Sequence, residues 1–131
     1  IPLEQARWSP AGNLHVTLHF FGATPEDRVP AIREALEKAA AVTEPFDVRL
    51  EGAGTFPGAV WLGVARESGA SLAFLQRLLA GELRARGFAV ENRPYRPHLT
   101  VARLKGRQSP RVPASPLGPD AVWASWRASS L

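Results

Sequence analysis

The sequence predicts an α+β fold, and three observations support that class. Two long segments, near residues 24–42 and 71–87, repeat apolar residues at helical spacing. Shorter apolar or alternating segments around them are typical of strands. A four-residue pattern, His-x-Thr followed by an apolar residue, occurs at His15 and again at His98. With the element order strand, helix, strand, strand, helix, strands, this repeat indicates two halves related by a pseudo-twofold axis.

The first half contains three predicted strands and one helix. A strand over Leu14–Phe21 is expected to end at Gly22. Thr24 is the expected cap of a helix that ends near Val42, because Pro25 and two acids follow it. Its apolar face comprises Val29, Ile32, Leu36 and Ala40. Two further strands are predicted over Phe46–Leu50 and Val60–Ala65, on either side of a turn at Pro57-Gly58.

The second half contains a helix, three predicted strands and a loop. Ser71 is the expected cap of a helix that ends near Gly87. Its core face comprises Leu72, Leu75, Leu79 and Leu83. Strands are predicted over Phe88–Glu91, His98–Leu104 and Ala121–Ala128. The segment Arg107–Pro119 is expected to be a loop because it holds four prolines.

The bulk composition favours one globular domain. The chain has 131 residues, of which 45% are hydrophobic, enough to form a core. No stretch approaches the roughly 18 apolar residues of a membrane helix, and the first residues lack the features of a signal peptide. There is no cysteine, so no disulfide framework or thiolate zinc site is expected. Cytoplasm is the simplest interpretation of the location.

The charge balance is basic, with a formal net charge of +4 and a pI near 10.6. All but two of the 16 basic residues are arginine. This excess favours anionic partners such as RNA or nucleotides. An equally weighted interpretation is that arginine use reflects genome composition or a hot habitat.

The repeated pattern carries the chemistry. In a strand, His15 and Thr17 point to one face, and His98 and Thr100 do likewise. If the two strands are adjacent, two imidazoles and two hydroxyls converge. The imidazoles can supply a general acid and a general base near neutral pH, and the hydroxyls can hold an oxyanion. This combination suits attack at phosphorus without a metal.

Three alternative interpretations exist for these residues. A single histidine on a strand is usually structural, but the pairing of both motifs argues against that interpretation. A zinc site would need His15, His19 and His98, yet His15 and His19 lie about 13 Å apart at strand spacing, too far for a shared ion. A phosphohistidine intermediate would leave the second motif without a symmetric role.

The two motifs, in this order and separation, resemble the 2H phosphoesterase superfamily. The surroundings narrow the resemblance to the RNA 2′,3′-cyclic phosphodiesterases, also called 2′-5′ RNA ligases. Residues 7–22, RWSPAGNLHVTLHFFG, resemble their first motif, and residues 95–103, YRPHLTVAR, resemble their second. Phe56-Pro57 and the strand after it are similar to their middle strands. The resemblance covers most of the chain, from Trp8 to Leu131.

The resemblance implies a single bilobal domain over residues 1–131. Two pseudo-symmetric α+β lobes with antiparallel sheets would form a V-shaped cleft, as in the LigT-like fold, with one motif in each lobe. Members usually carry a strand and helix before the first motif and a last strand at the end. Part of the former and all of the latter are expected to be missing here. A sheet edge would then be unpaired.

The resemblance also implies an activity and residue roles. The expected reaction is hydrolysis of an RNA terminal 2′,3′-cyclic phosphate to a 2′-phosphate, with reverse 2′-5′ ligation of tRNA halves as a side activity. His98 would be the proton acceptor and His15 the proton donor. Thr17 and Thr100 would donate to the non-bridging oxygens. No cofactor or metal is expected.

Five further residues are expected to bind substrate: Arg103, Tyr95, Arg96, His19 and Phe56. Arg103 resembles a phosphate-contacting arginine of the family, although strict strand alternation puts it on the face opposite His98 unless the strand contains a bulge. Tyr95 and Arg96 are expected to stack on or clamp the terminal base and ribose. His19 is expected to line the rim of the site, whereas Trp61 and Trp8 are expected in the core.

The sequence is also compatible with two other functions. One is a 2H enzyme that acts on small nucleotides or on 2′-5′ oligoadenylate. The other is a non-catalytic RNA-binding module, which would not require paired titrating groups. A monomer without membrane association is expected in each case.

Overall fold

The computed structural model describes residues 7–103 and 122–130. Within these residues the elements in chain order are five strands and two helices, with 3-10 turns at Ala11–Asn13 and Glu26–Arg28. They are β1 (Arg7–Trp8), α1 (Val29–Ala41), β2 (Phe46–Phe56), β3 (Ala59–Val64), α2 (Arg66–Ala85), β4 (His98–Arg103) and β5 (Val122–Ala128). The α+β class is therefore confirmed. Neither of these helices is long and apolar enough to cross a bilayer.

The described strands form one antiparallel sheet in the order β1-β4-β3-β2-β5. The resemblance implied a separate sheet in each lobe. Among the described residues the two halves instead share a sheet, because β3 pairs with β2 on one side and with β4 on the other. This central pairing brings the second motif, on β4, beside the middle strands.

The helices pack against each other through a small core cluster. Leu75, Leu79 and Leu83 of α2 are buried against Ala35 and Ala39 of α1. The predicted leucine face of α2 is confirmed. The predicted face of α1 is partly wrong, because the helix buries Ala35 and Ala39, while Val29 at its first position is 42% exposed and Ala40 is exposed. Small side chains at the contact allow close approach of the two helices.

Both predicted helix caps are wrong, although the predicted helix ends are nearly right. Thr24 Oγ1 donates to the Gly22 carbonyl instead of capping α1. Ser71 lies inside α2, where its hydroxyl donates to the Glu67 carbonyl one turn earlier. At the other end, Gly87 has φ 82°, and the Phe88 N–H donates to the Leu83 carbonyl at 3.0 Å. That left-handed glycine ends α2 as its sequence predicts.

Four predicted strands are confirmed and two are wrong. The strands over 46–50, 60–65, 98–104 and 121–128 correspond to β2 to β5, and β2 continues to Phe56. Leu104, Ala121 and the predicted loop Arg107–Pro119 lie outside the described residues. No strand forms over 88–91, where Phe88 and Val90 pack against the helical core cluster. Over 14–21 a single bridge, Val16 with Leu99, replaces the predicted strand.

The two faces of the sheet differ in burial. One face is covered and carries Val48, Leu50, Val60, Leu99 and Ala102, all at most 5% exposed. Since side chains alternate along a strand, His98 and Thr100 point to the face opposite Leu99. This second face carries the candidate site.

Candidate functional site

The second motif lies on a regular part of β4. His98 is paired with Gly63 of β3, and Thr100 is paired with Trp61. Leu99, between them, is buried on the other face. The alternation predicted for this motif is therefore confirmed, and it presents the imidazole and the hydroxyl side by side.

The first motif contacts the same strand, β4, but is not part of a continuous strand itself. The Ser9 N–H donates to the Val101 carbonyl at 2.9 Å, continuing the pairing of β1 with β4. The chain then leaves β4 through the 3-10 turn at Ala11–Asn13 and returns where Val16 pairs with Leu99 in antiparallel sense. The motif is thus held at the edge of β4 without forming a strand of its own.

This single bridge determines how the two motifs face each other. Extending the antiparallel Val16–Leu99 pair by one residue in each direction places His15 opposite Thr100 and Thr17 opposite His98. Residues opposite each other in an antiparallel pair share a face of the sheet. This register indicates that both histidines and both threonines share one face, with each histidine across from the other motif's threonine. That the four side chains form one catalytic site stays a prediction.

Both histidine rings are anchored in the same way. His15 Nδ1 lies 2.6 Å from the carbonyl oxygen of Asn13, and His98 Nδ1 lies 2.8 Å from that of Arg96. A carbonyl only accepts hydrogen bonds, so in each neutral ring Nδ1 carries the proton and Nε2 carries the lone pair. In each motif the acceptor carbonyl lies two residues before the histidine, so the pseudo-twofold relation extends to these hydrogen bonds. The motif pattern contains no indication of these anchors.

Aromatic rings surround His98. The Phe56 ring meets the imidazole edge-on with centroids 5.1 Å apart, and the Trp61 ring lies 6.2 Å from it. Phe56 is 37% exposed, so part of its side chain is accessible to a ligand. Trp61, expected in the core, is only partly buried and lies beside the imidazole. Its place at the site was not predicted from the sequence.

Two glycines create the space for Trp61. A Cβ added at Gly54, the cross-strand partner of Trp61, would overlap the indole ring. A Cβ at Gly63 would lie 2.6 Å from the Glu51 carbonyl oxygen and 3.5 Å from the indole. Trp61 Nε1 is buried and has no hydrogen-bond partner among the described residues. Ring packing over these glycines, rather than a hydrogen bond, therefore positions the indole. Glycines within a strand are the signal that indicates such a close approach.

A bulge brings Arg103 to the site face. Trp61 pairs with Thr100, yet Val60 pairs with Ala102, so Val101 is an extra residue in β4. Beyond the bulge Arg103 pairs with Ala59, which shares a face of β3 with Trp61. Strict alternation would have placed Arg103 on the opposite face. The exposed guanidinium is thus available on the side of His98 and Thr100.

Tyr95 and Arg96 have contacts with the protein itself. The Tyr95 hydroxyl donates to the Thr17 carbonyl at 2.7 Å, and burial raises the pKa of this phenol to about 12. Arg96 is exposed, and its carbonyl holds the His98 ring. Whether either side chain contacts a base stays a prediction.

His19 lies apart from the paired motifs. Its ring packs edge-on against Phe21 at 4.4 Å between centroids, and Phe21 packs against the helical core cluster. Burial lowers the pKa of His19, and the charge of Glu91 opposes that effect. His19 also lines a cavity of about 760 Å³ that borders His15 and Thr17 but neither His98 nor Thr100. Its predicted role at the rim stays a prediction.

The described residues contain no group of three or more His, Asp or Glu side chains arranged to hold a metal ion. In particular, His15, His19 and His98 do not converge as a set. The titratable side chains of the two motifs are the two anchored imidazoles. They stand beside two hydroxyls, an exposed arginine and an exposed aromatic ring.

Two His-x-Thr motifs that meet on one face of an antiparallel sheet define the class of two-histidine phosphoesterases. Comparison with known families agrees. Residues 5–124 match the family model of the 2′-5′ RNA ligase superfamily, and the chain belongs to this family.

Similar sequences share one name. A protein of Methanothermobacter thermautotrophicus named RNA 2′,3′-cyclic phosphodiesterase is 40% identical over 107 residues. That match covers 78% of this chain and 56% of the relative. A Thermus thermophilus protein of the same name is 35% identical, with 79% of this chain and 56% of that protein covered. The chain thus spans little more than half the length of these relatives.

Solved structures are similar in fold. The crystal structure of E. coli LigT in complex with 3′-AMP superposes with a TM-score of 0.73 at 27% identity. The superposition covers 98% of this chain and 70% of LigT. The crystal structure of a Thermus thermophilus protein gives a TM-score of 0.75 at 25% identity, covering 97% of this chain and 70% of that protein. These likenesses confirm the LigT-like α+β class.

Proposed function

We propose that this protein hydrolyses the 2′,3′-cyclic phosphate at an RNA end to a 2′-phosphomonoester, using two histidines and no metal. The observation that carries the proposal is the antiparallel Val16–Leu99 pair, which sets each histidine opposite the other motif's threonine. The names of the relatives support the substrate class. Reverse 2′-5′ ligation, including that of tRNA halves, is proposed as a side activity of the same site.

The two imidazoles divide the proton transfers. His98 Nε2 takes a proton from water as the water oxygen attacks phosphorus in line with the bond to the 3′ oxygen. His15 gives its Nε2 proton to the departing 3′ oxygen, so a free 3′-OH and a 2′-phosphate result. The Nδ1 bonds to Arg96 and Asn13 keep both Nε2 atoms available for these steps. The assignment of base to His98 and acid to His15 follows the family resemblance.

The hydroxyls and the arginine stabilise charge. Thr17 and Thr100 donate to the non-bridging oxygens as negative charge develops on phosphorus. Arg103, on the same face because of the bulge in β4, contacts the phosphate. Phe56 offers an exposed ring to the terminal base. Loss of one such preorganised donor typically costs about 10²–10³ in kcat.

The test is hydrolysis of a short RNA ending in a 2′,3′-cyclic phosphate, in EDTA, with the product phosphate located. We expect a 2′-phosphate product and a bell-shaped pH profile, because one histidine must be neutral and the other charged. His15→Ala and His98→Ala should each lower kcat at least about 100-fold. Arg77→Ala, on the exposed side of α2, is the control and should keep full activity.

Three outcomes would contradict the proposal. They are a rate that is flat from about pH 5 to about pH 9, turnover that needs added metal, and retention of activity in either histidine variant. No turnover at all on RNA would leave the small-nucleotide enzyme and the non-catalytic RNA-binding module as the remaining interpretations.

A second candidate is a two-histidine enzyme for small nucleotides. The observation in its favour is that a structurally similar protein, E. coli LigT, crystallised with 3′-AMP. A mononucleotide would use the same motifs and would not need contacts beyond the terminal ribose and phosphate. The monomeric state and the cytoplasmic location stay predictions.

A further inference from the structure

Tyr95 forms a hydrogen bond between the two motif segments. Its hydroxyl donates to the carbonyl oxygen of Thr17 at 2.7 Å, across 78 positions of the chain. Thr17 is the residue that the Val16–Leu99 register places opposite His98. Tyr95 itself lies three residues before His98. The contact therefore spans the gap between a donor of the first motif and the base of the second.

The segment 94–98 is built to hold this contact rigidly. Pro94 and Pro97 fix φ near −65° at two of its positions, and Pro97 also restricts Arg96 to extended conformations. The Arg96 carbonyl in turn accepts the bond from His98 Nδ1 at 2.8 Å. One short proline-bounded segment thus positions the ring of His98 and the backbone of Thr17 together.

The first motif depends on such contacts because it lacks a strand ladder. Val16 makes an isolated bridge with Leu99, and residues 17–21 have no strand pairing. Thr100, by contrast, lies within β4 and is held by regular pairing with Trp61. A hydrogen bond at Thr17 consequently has more influence on its placement than a similar bond would have at Thr100.

The Tyr95 phenol stays a hydrogen-bond donor over a wide range of pH. Burial raises its pKa to about 12, so it remains a protonated donor throughout the range in which histidines titrate. The bond to Thr17 therefore persists while the imidazoles change charge. Tyr95 contributes no proton to the reaction.

We propose that Tyr95 is a positioning residue that sets the distance between the two motifs by holding Thr17 against the segment that leads into His98. This inference rests on the proposed two-histidine function. It assigns the Tyr95 hydroxyl a structural partner within the site, and the stacking role of the ring stays a prediction.

The test is a pair of double-mutant cycles on hydrolysis of the cyclic-phosphate RNA. Tyr95→Phe removes only the hydroxyl and should lower kcat about tenfold, with KM changed less than about twofold. Combined with Thr17→Val it should add little, because the hydroxyl that it positions is already gone. Combined with Thr100→Val its effect should be fully additive, since Thr100 is positioned by β4.

The control removes a similar hydroxyl elsewhere. Thr43 donates to the Ala39 carbonyl at 2.8 Å near the end of α1, so Thr43→Val should leave kcat unchanged. Additivity of Tyr95→Phe with Thr17→Val, or an unchanged kcat in Tyr95→Phe, would overturn the inference. Equal non-additivity with both threonines would indicate a general structural role and would also overturn it. Failure of the proposed function is distinct, because the unmodified chain would then be inactive or the histidine variants active.

Discussion

At the scale of single residues, the site depends on how each imidazole is oriented. Asn13 and Arg96 supply carbonyl oxygens to His15 and His98 from the same position relative to each ring. A backbone acceptor cannot titrate, so it fixes the tautomer without adding charge to the site. The two imidazoles therefore share one kind of anchor, whereas only His98 also has Phe56 and Trp61 beside it.

His19 allows a test of burial at the residue scale. Burial disfavours its charged form and lowers its pKa in the folded state below the ordinary value of 6.5. The unfolded chain therefore binds the proton more readily, and stability present above that value is lost as the pH falls through the folded-state pKa. We expect the free energy of unfolding to fall between about pH 8 and about pH 5.5, as measured by urea denaturation.

Two variants separate the contributions to that fall. His19→Asn, which stays neutral, should flatten the dependence on pH. Glu91→Gln should steepen it, because the charge of Glu91 supports the protonated ring. An unchanged slope in His19→Asn would show that another group is responsible.

At the scale of elements, a bulge in β4 decides which of its side chains lie on the face of the candidate site. Its first half alternates normally and presents His98 and Thr100 together. The extra residue Val101 then shifts the register, so Arg103 returns to the same face. His98, Thr100 and Arg103, which the proposed mechanism uses, thus share one face of the sheet. Unbroken alternation would have placed Arg103 on the other face.

The prediction at this scale concerns the contact between Gly54 of β2 and Trp61 of β3. Gly54→Ala should displace Trp61, because the added Cβ would overlap the indole ring that lies beside His98. We expect a loss of about 1–3 kcal/mol in stability from overpacking and a decrease in kcat. Urea denaturation and hydrolysis assays measure the two effects.

Gly81 provides the matched control for that substitution. It lies in α2 and an added Cβ would meet no atom within 4 Å. Gly81→Ala should therefore stabilise the helix by up to about 1 kcal/mol and leave kcat unchanged. If Gly54→Ala behaves like Gly81→Ala, then the close packing of Trp61 is unimportant for His98.

At the scale of the whole molecule, the charge of the chain bears on its substrate. The net charge is +4, and all but two of the 16 basic residues are arginine. A longer RNA would contact several of these side chains, whereas a mononucleotide would contact few. We expect kcat/KM for an RNA of about ten nucleotides to fall several-fold between about 50 and about 300 mM salt.

The comparison substrate in that experiment is a 2′,3′-cyclic mononucleotide. Its kcat/KM should change much less over the same range of salt, because it displaces fewer counterions. Equal salt dependence for the two substrates would favour the small-nucleotide candidate over the RNA-end substrate. A higher kcat/KM for the mononucleotide at all salt concentrations would support the same conclusion.

Much of the fold was predictable because its determinants are local. The leucine spacing of α2, its end near Gly87 and the strand that begins at Phe46 are properties of short windows of sequence, and each was predicted. The strand predicted over 14–21 is wrong because that prediction also used only local sequence. A local alternation such as Leu14–Val16–Leu18 does not reveal whether a neighbouring strand is available, and here β4 offers a single bridge at Val16.

The sequence by itself determined the α+β class, the leucine core of α2 and the four residues that carry the proposed chemistry. The tertiary structure alone decided that His15 faces Thr100, that Arg103 shares their side, that Trp61 adjoins His98 and that Tyr95 holds Thr17. The physical reason is the sequence separation between the residues that interact. Helix and strand preferences depend on neighbours within a few positions, whereas register, bulges and cross-chain hydrogen bonds depend on segments up to some 80 positions apart.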